Sequence, residues 1–326
     1  MLIQSESCEA CRFDSTAYTN DDVAGTLRSI GSWWRLLTQG IDPQLLSRRP
    51  STDTWSAVEY AHHTAAVTEL LSSALALQLQ TNNLDFGPEP TPEPIAIEPM
   101  TAAIDGILDT IETAVDGLLA QLAAASTSNH LANLGTNQYS TSWIVRHACH
   151  DALHHLQDVG RGLQSLGGGV QQHQGSVAHI HQGNGGVPKL PVESAAVGYR
   201  GIHGDTQRAR VHHGRVWQAL CLYSGEAITR LRNEGHSIAA GSAGENLTIT
   251  GIDWAALRPN TRMLIGDDLL IELTLPALPC KKNAQWFVDG DFMRMHHVAH
   301  PGETRWYARV LHDGEVRTTD AVIVEP

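Results

Sequence analysis

Long apolar runs are missing from this 326-residue chain. With no stretch of about 18 consecutive apolar residues, a membrane-spanning helix is not expected. The N-terminus carries Glu6, Glu9 and Asp14 and lacks the basic-then-apolar order of a secretory leader, so the chain reads as cytoplasmic. Positive charge is scarce: 22 Lys and Arg stand against 35 Asp and Glu, and the formal net charge of -13 argues against nucleic acid or a membrane surface as a partner. Local basic pockets are compatible with that balance. Cysteine is sparse as well. Five thiols, odd in number and widely scattered, fit a reducing compartment in which cysteine serves chemistry or packing. Cys8-Glu9-Ala10-Cys11 has CxxC spacing, but no second CxxC follows to complete a zinc site and no βαβ pattern surrounds it. It is read as an unremarkable N-terminal pair, with redox chemistry or adventitious metal binding as the alternative. The glycine fingerprint of a nicotinamide or flavin site and the four-cysteine pattern of an iron–sulfur cluster are also missing, so redox chemistry here needs an external electron donor.

What the chain does have is enough apolar residue, 42%, for a globular protein, and a length that suggests two domains of about 150 residues each. The first half reads as helical. Val23, Leu27, Ile30, Trp34 and Leu37 recur at helical spacing, as do Val58, Ala61, Ala65, Leu70 and Ala74. Two further periodic segments run from about Met100 to Ala125 and from Ser142 to Leu166. The breaks fall near Arg49-Pro50, in the five-proline stretch from Pro88 to Pro99, and from Ser126 to Gly135. Four long helices with one extended crossover suggest a four-helix bundle over 20–168, with Asp53 or Thr54 capping the second helix.

Residues 169–185, rich in Gly, Gln and His, read as a linker whose His173, His179 and His181 are solvated. Beyond it, over 186–326, short β-rich runs alternate with Gly, Pro, Asn and Asp: 218–223, 247–249, 263–265, 269–274, 307–311 and 321–324. Between them, only 225–235 reads as a helix of some length. The expected fold class is therefore multidomain, an all-α bundle followed by a mainly β, barrel-like domain.

Two stretches carry candidate chemistry. In the fourth helical segment, His150 and His154, or Asp151 and His155, lie four residues apart on one helix face. Such a pair holds a divalent ion when another helix supplies a third donor, and His62 and His63 are available for that. In the β half, Pro279-Cys280-Lys281-Lys282 places a cysteine beside two lysines. The thiolate is the reactive and metal-binding form, and neighbouring cations favour it.

The bundle resembles the DinB-like family of metal-dependent proteins. The resemblance rests on Arg48-Arg49-Pro50, on Trp55-Ser56-Ala57-Val58-Glu59-Tyr60-Ala61-His62-His63, and on the His-rich helix ending in Leu163-Gln164-Ser165-Leu166-Gly167. It implies a divalent metal, such as zinc or nickel, held by His63, Asp151 and His155, or by His150 and His154 in a register one residue earlier. Relatives that act as thiol-dependent transferases imply that activity as one alternative. Aspartate at position 151, where many relatives carry histidine or glutamate, is a departure.

The second half resembles the MOSC domain. Gly186-Val187-Pro188-Lys189, Gly201-Ile202-His203-Gly204-Asp205-Thr206-Gln207, His212-His213-Gly214, Leu222-Tyr223-Ser224, Gly244-Glu245-Asn246-Leu247-Thr248-Ile249 and Pro279-Cys280 follow in the order of that family. The likeness implies molybdenum cofactor (molybdopterin) with Cys280 as metal ligand, and family association adds pyridoxal phosphate. Phosphate-binding candidates are Lys189, Arg215, Lys281, Lys282, Arg305 and Arg309. Glu245 and Asn246 either contact the cofactor or hold turns, and His213, with His212, is a candidate proton donor. The implied activity is reduction of N-hydroxylated or related small substrates using an external electron donor protein. The alternative is a sulfur-transfer module that takes sulfur from a donor and carries a persulfide on Cys280. Arg215-Val216 departs from the Gly-X-Asp-Arg run of many relatives.

Overall fold

The computed structural model describes residues 1–89, 99–168, 170–171, 173–208 and 213–325. The chain forms two compact units, Met1–Gly168 and Gly169–Pro326.

The first unit opens with three short strands, β1 (Leu2–Ile3), β2 (Ser7–Cys8) and β3 (Phe13–Asp14); the last two pair as a hairpin. Among the described residues five helices follow: α1 (Asn20–Thr38), the short α2 (Pro43–Leu46), α3 (Ala57–Gln80), α4 (Ile104–Thr127) and α5 (Thr141–Ser165). The four long ones are the helices that the periodicity predicts, and Val23, Leu27, Ile30, Trp34 and Leu37 are all buried. Helix α3 packs on α4 and α5, and α1 packs on the same two.

Ser56, not Asp53 or Thr54, caps α3. Its hydroxyl accepts from the Glu59 N–H at 3.3 Å, while the Glu59 carboxylate accepts from the Ser56 N–H at 2.8 Å. This reciprocal Ser-x-x-Glu box satisfies two N–H groups, which one carboxylate at Asp53 would not. Arg49 pairs with Glu59 behind it. The expected break after α4 contains β5 (Leu131–Leu134) and β6 (Asn137–Ser140), which join β1 and β4 (Leu84–Asp85) in a small sheet. Most of the proline-rich crossover lies outside the described residues.

In the second unit, the stretch expected as a linker is mostly a strand. β7 (His173–Gln182) pairs with three neighbours, burying Val177, Ile180 and His181. Its polar composition hides an alternation in which only some positions face the core. The remaining strands are β8 (Leu190–Val192), β9 (Ser194–Gly198), β10 (Gly201–Ile202), β11 (Leu220–Ser224), β12 (Leu247–Thr250), β13 (Arg262–Ile265), β14 (Leu269–Ala277), β15 (Arg305–His312), β16 (Gly314–Arg317) and β17 (Ala321–Val324). Helix α6 (Gly225–Asn233) follows β11. The order β12-β11-β15-β14-β13-β17-β7, with β7 also paired to β12, closes a seven-stranded barrel. Strands β9, β10 and β16 form a separate sheet.

β14 runs through Pro276 to Ala277, three residues beyond the expected end at Thr274, with a register irregularity between Leu273 and Pro276. Proline donates no ladder hydrogen bond, which accounts for the irregularity there. Cys280 follows three residues after its end.

Candidate functional site

The bundle brings His63 from α3 together with Asp151 and His155 from α5, with one ligand atom from each within 4.8 Å of the others. Asp151 Oδ1 lies 3.3 Å from His155 Nε2 and 3.9 Å from His63 Nε2. Nitrogen and oxygen ligands about 2.1 Å from a shared tetrahedral ion are about 3.4 Å apart, so these spacings suit one cation. Asp151 Oδ2 is buried without a hydrogen-bond partner, as a second ligand atom would be. His155 Nδ1 faces Asp158 Oδ2 at 3.1 Å, the outer-shell carboxylate that orients a metal-binding imidazole. Burial opposes charge on His155, but Asp151 and Asp158 outweigh it and push its pKa up to about 9. His62 is exposed.

The register one residue earlier serves a different place. A shift of one residue turns a helix by about 100°. His150 and His154 accordingly point to Cys8 and Cys11 and do not share the site of His63.

In the second unit, Cys280 opens into a cleft of about 740 Å³, open mouth included, that Lys189, Arg208, His213, Cys221, Asn246, Lys282, Asn283, Arg305 and Tyr307 help to line. Arg305 is buried at the start of β15. Its two terminal nitrogens donate to the carbonyls of Ala243 (2.6 Å) and Leu278 (3.2 Å), and its Nε has no hydrogen-bond partner. Asn283 is 1% exposed, and neither of its amide atoms makes a hydrogen bond. Buried polar atoms left so are costly unless a ligand completes them. His213 Nδ1 lies 2.8 Å from the Tyr307 hydroxyl, and burial pushes the Tyr307 pKa up, so the phenol stays protonated.

The cleft wall is organised by Asp205. Its carboxylate accepts from Gly183 N–H (2.8 Å), Lys189 Nζ (2.6 Å), Gln207 Nε2 (3.1 Å) and Asn246 Nδ2 (3.1 Å). Asn246 also accepts from Cys221 N–H through Oδ1.

A family model described as MOSC domain matches residues 209–323, and one described as DinB superfamily matches 32–159. The chain carries a DinB superfamily domain and a MOSC domain. No curated protein matches it. Among solved structures, YiiM from Geobacillus stearothermophilus is 22% identical over 46% of this chain and 75% of that one, with a TM-score of 0.35. YiiM from Escherichia coli is 20% identical over 48% and 70%, with a TM-score of 0.35. YfiT from Bacillus subtilis, a four-helix bundle, is 12% identical over 45% and 87%, with a TM-score of 0.39. Among the described residues, no helix is long and apolar enough to cross a membrane.

Of the residues expected in the MOSC site, Cys280, His213, Lys189, Asn246, Lys282 and Arg305 line one cleft. Four others do not. Arg309 pairs with Glu272 on β14; it sits four residues along β15 from Arg305, about 13 Å at strand rise. Glu245 is fully buried and accepts from the Gly241 N–H at 2.6 Å, holding its own turn. Arg215 bonds Gln218 and lies over the Trp217 ring. Lys281, exposed like Lys282, does not line the cleft, because about 120° separates successive residues of the 3₁₀ turn it begins. Lys189 reaches the cleft already paired with Asp205. His212 lies outside the described residues. Asn283 and Tyr307 were not singled out in the sequence. Asn283 falls one turn after Cys280, a spacing that places both on one side of a 3₁₀ turn.

Proposed function

We propose that the MOSC cleft binds the molybdenum cofactor, with Cys280 as a metal ligand, and reduces N-hydroxylated or related small substrates with electrons from an external donor. The observation that carries this reading is the shared cleft of Cys280, the unsatisfied Arg305 Nε and Asn283 amide, and Lys282. A soft thiolate suits a molybdenum centre, and cationic and amide donors suit the phosphate of a pterin. The cofactor supplies two-electron reduction when bound. Lys282 and Arg305 bind and orient its anionic groups. Asn283 offers both a donor and an acceptor to its polar edge. The His213–Tyr307 pair holds a proton at the cleft wall, where loss of an N-hydroxyl group as water requires one. A Cys280→Ala variant is expected to lose cofactor and reductase activity together, and full activity in that variant would overturn the proposal. A persulfide on Cys280 found by mass spectrometry would favour sulfur transfer in its place.

A second reading rests on the bundle. His63, Asp151 and His155 leave a coordination position open, and a divalent ion there would supply a Lewis acid for a thiol-dependent transfer. Activity that needs added low-molecular-weight thiol, survives Cys280→Ala and disappears in His63→Ala is the expected signature. Unchanged divalent metal content in His63→Ala would contradict it.

A further inference from the structure

The bundle holds another group of metal-ligating side chains that neither reading uses. Cys8, Cys11, His150 and His154 offer one donor atom each, all within 4.8 Å of one another. Cys8 ends β2, Cys11 sits in the turn between β2 and β3, and the two histidines occupy successive turns of one face of α5. We propose that these four residues form a tetrahedral zinc site that fastens the β2–β3 hairpin to α5.

Four observations support the site. The spacings Cys-x₂-Cys and His-x₃-His are those of structural zinc ligands, here brought together from opposite ends of the unit. The separation of Cys8 Sγ and His154 Nδ1 is 3.5 Å. Sulfur at about 2.3 Å and nitrogen at about 2.1 Å from a tetrahedral zinc are about 3.6 Å apart. Each imidazole also has a carboxylate beside its other nitrogen: His150 Nδ1 lies 3.3 Å from Glu6 Oε1, and His154 Nε2 lies 3.6 Å from Asp158 Oδ2. That arrangement leaves His150 Nε2 and His154 Nδ1 for the metal, as outer-shell carboxylates do in zinc proteins. Finally, His150 Nε2 is buried without a hydrogen bond, and the ring stacks on Phe13 of the hairpin at 4.8 Å. An ion completes a group whose burial is otherwise costly.

Two thiolates and two imidazoles select zinc over harder divalent ions, and four protein ligands leave no open position, so the role is structural. The site lies beside the His63 centre and shares Asp158 with it, since the same Oδ2 faces His155 Nδ1 at 3.1 Å. Its existence does not depend on that centre being occupied.

The test uses the full chain, stripped with chelator and titrated with cobalt(II), whose thiolate-to-metal charge-transfer absorption reports sulfur ligation. The wild-type chain is expected to show that absorption, and added zinc to quench it. Cys8→Ser with Cys11→Ser should abolish it, whereas His63→Ala should leave it in place. Cobalt binding to wild type without thiolate absorption overturns the proposal, and so does a Cys8–Cys11 disulfide in protein purified under reducing conditions. Because the wild-type chain alone decides both outcomes, failure of the double variant to fold does not obscure the result.

Discussion

At the scale of single residues, the MOSC cleft separates side chains that hold the wall from side chains that remain available to a ligand. Lys189 illustrates the first kind. Its cation suggests a phosphate contact in the sequence, but the structure gives it to Asp205, with side-chain exposures of 8% and 2%. Removing one partner of a buried pair strands the other charge, so Asp205→Ala is expected to cost about 3–5 kcal/mol in urea unfolding. A loss below about 1 kcal/mol would show that the pair is better hydrated than its burial implies. Arg305 and Asn283 illustrate the second kind, each retaining a buried polar atom without a partner. Cys280 was legible from its motif, whereas Asn283 was not. An asparagine signals nothing until its amide is seen to be buried and unsatisfied.

At the scale of elements, the junction before α3 is tied by the Ser56–Glu59 capping box and by Arg49. Burial raises the Glu59 pKa, but Arg49 and the Ser56 donors outweigh it and hold the carboxyl at about 2, below its ordinary 4.5. A depressed folded value means stability that is fully present above the unfolded pKa and is lost as the group protonates. Denaturant stability of the wild type relative to Glu59→Gln should therefore shrink as the pH falls from about 4.5 towards 2, and stay level above that window. A constant difference between the two across this range would contradict the tie. The four long helices were readable because each buries a stripe at helical spacing. β7 was not, since Gln, His and Gly carry no apolar alternation strong enough to mark a strand, and its pairing with β8, β12 and β17 is set by the barrel. Helix α5 shows the limit of spacing arguments. Both His150/His154 and Asp151/His155 satisfy the four-residue rule, and only the neighbours of each face reveal that they belong to two different groups.

At the scale of the whole molecule, the fold class follows from a change of pattern near residue 169, helical period before it and short β runs after it. The two candidate centres of the proposed functions follow that division, imidazole and carboxylate around His63 in the bundle and a thiol among cations in the barrel. The Cys8–Cys11 pair is visible in the sequence by its spacing, but not its neighbours, which lie some 140 residues away on α5, a distance that no local spacing rule spans. The central claim concerns the barrel, and elemental analysis of the full chain purified from a host able to make molybdopterin tests it most directly. The account predicts stoichiometric molybdenum in the wild type, its loss in Cys280→Ala, and no change in His63→Ala. Wild-type protein without molybdenum, or equal molybdenum in Cys280→Ala, would contradict it.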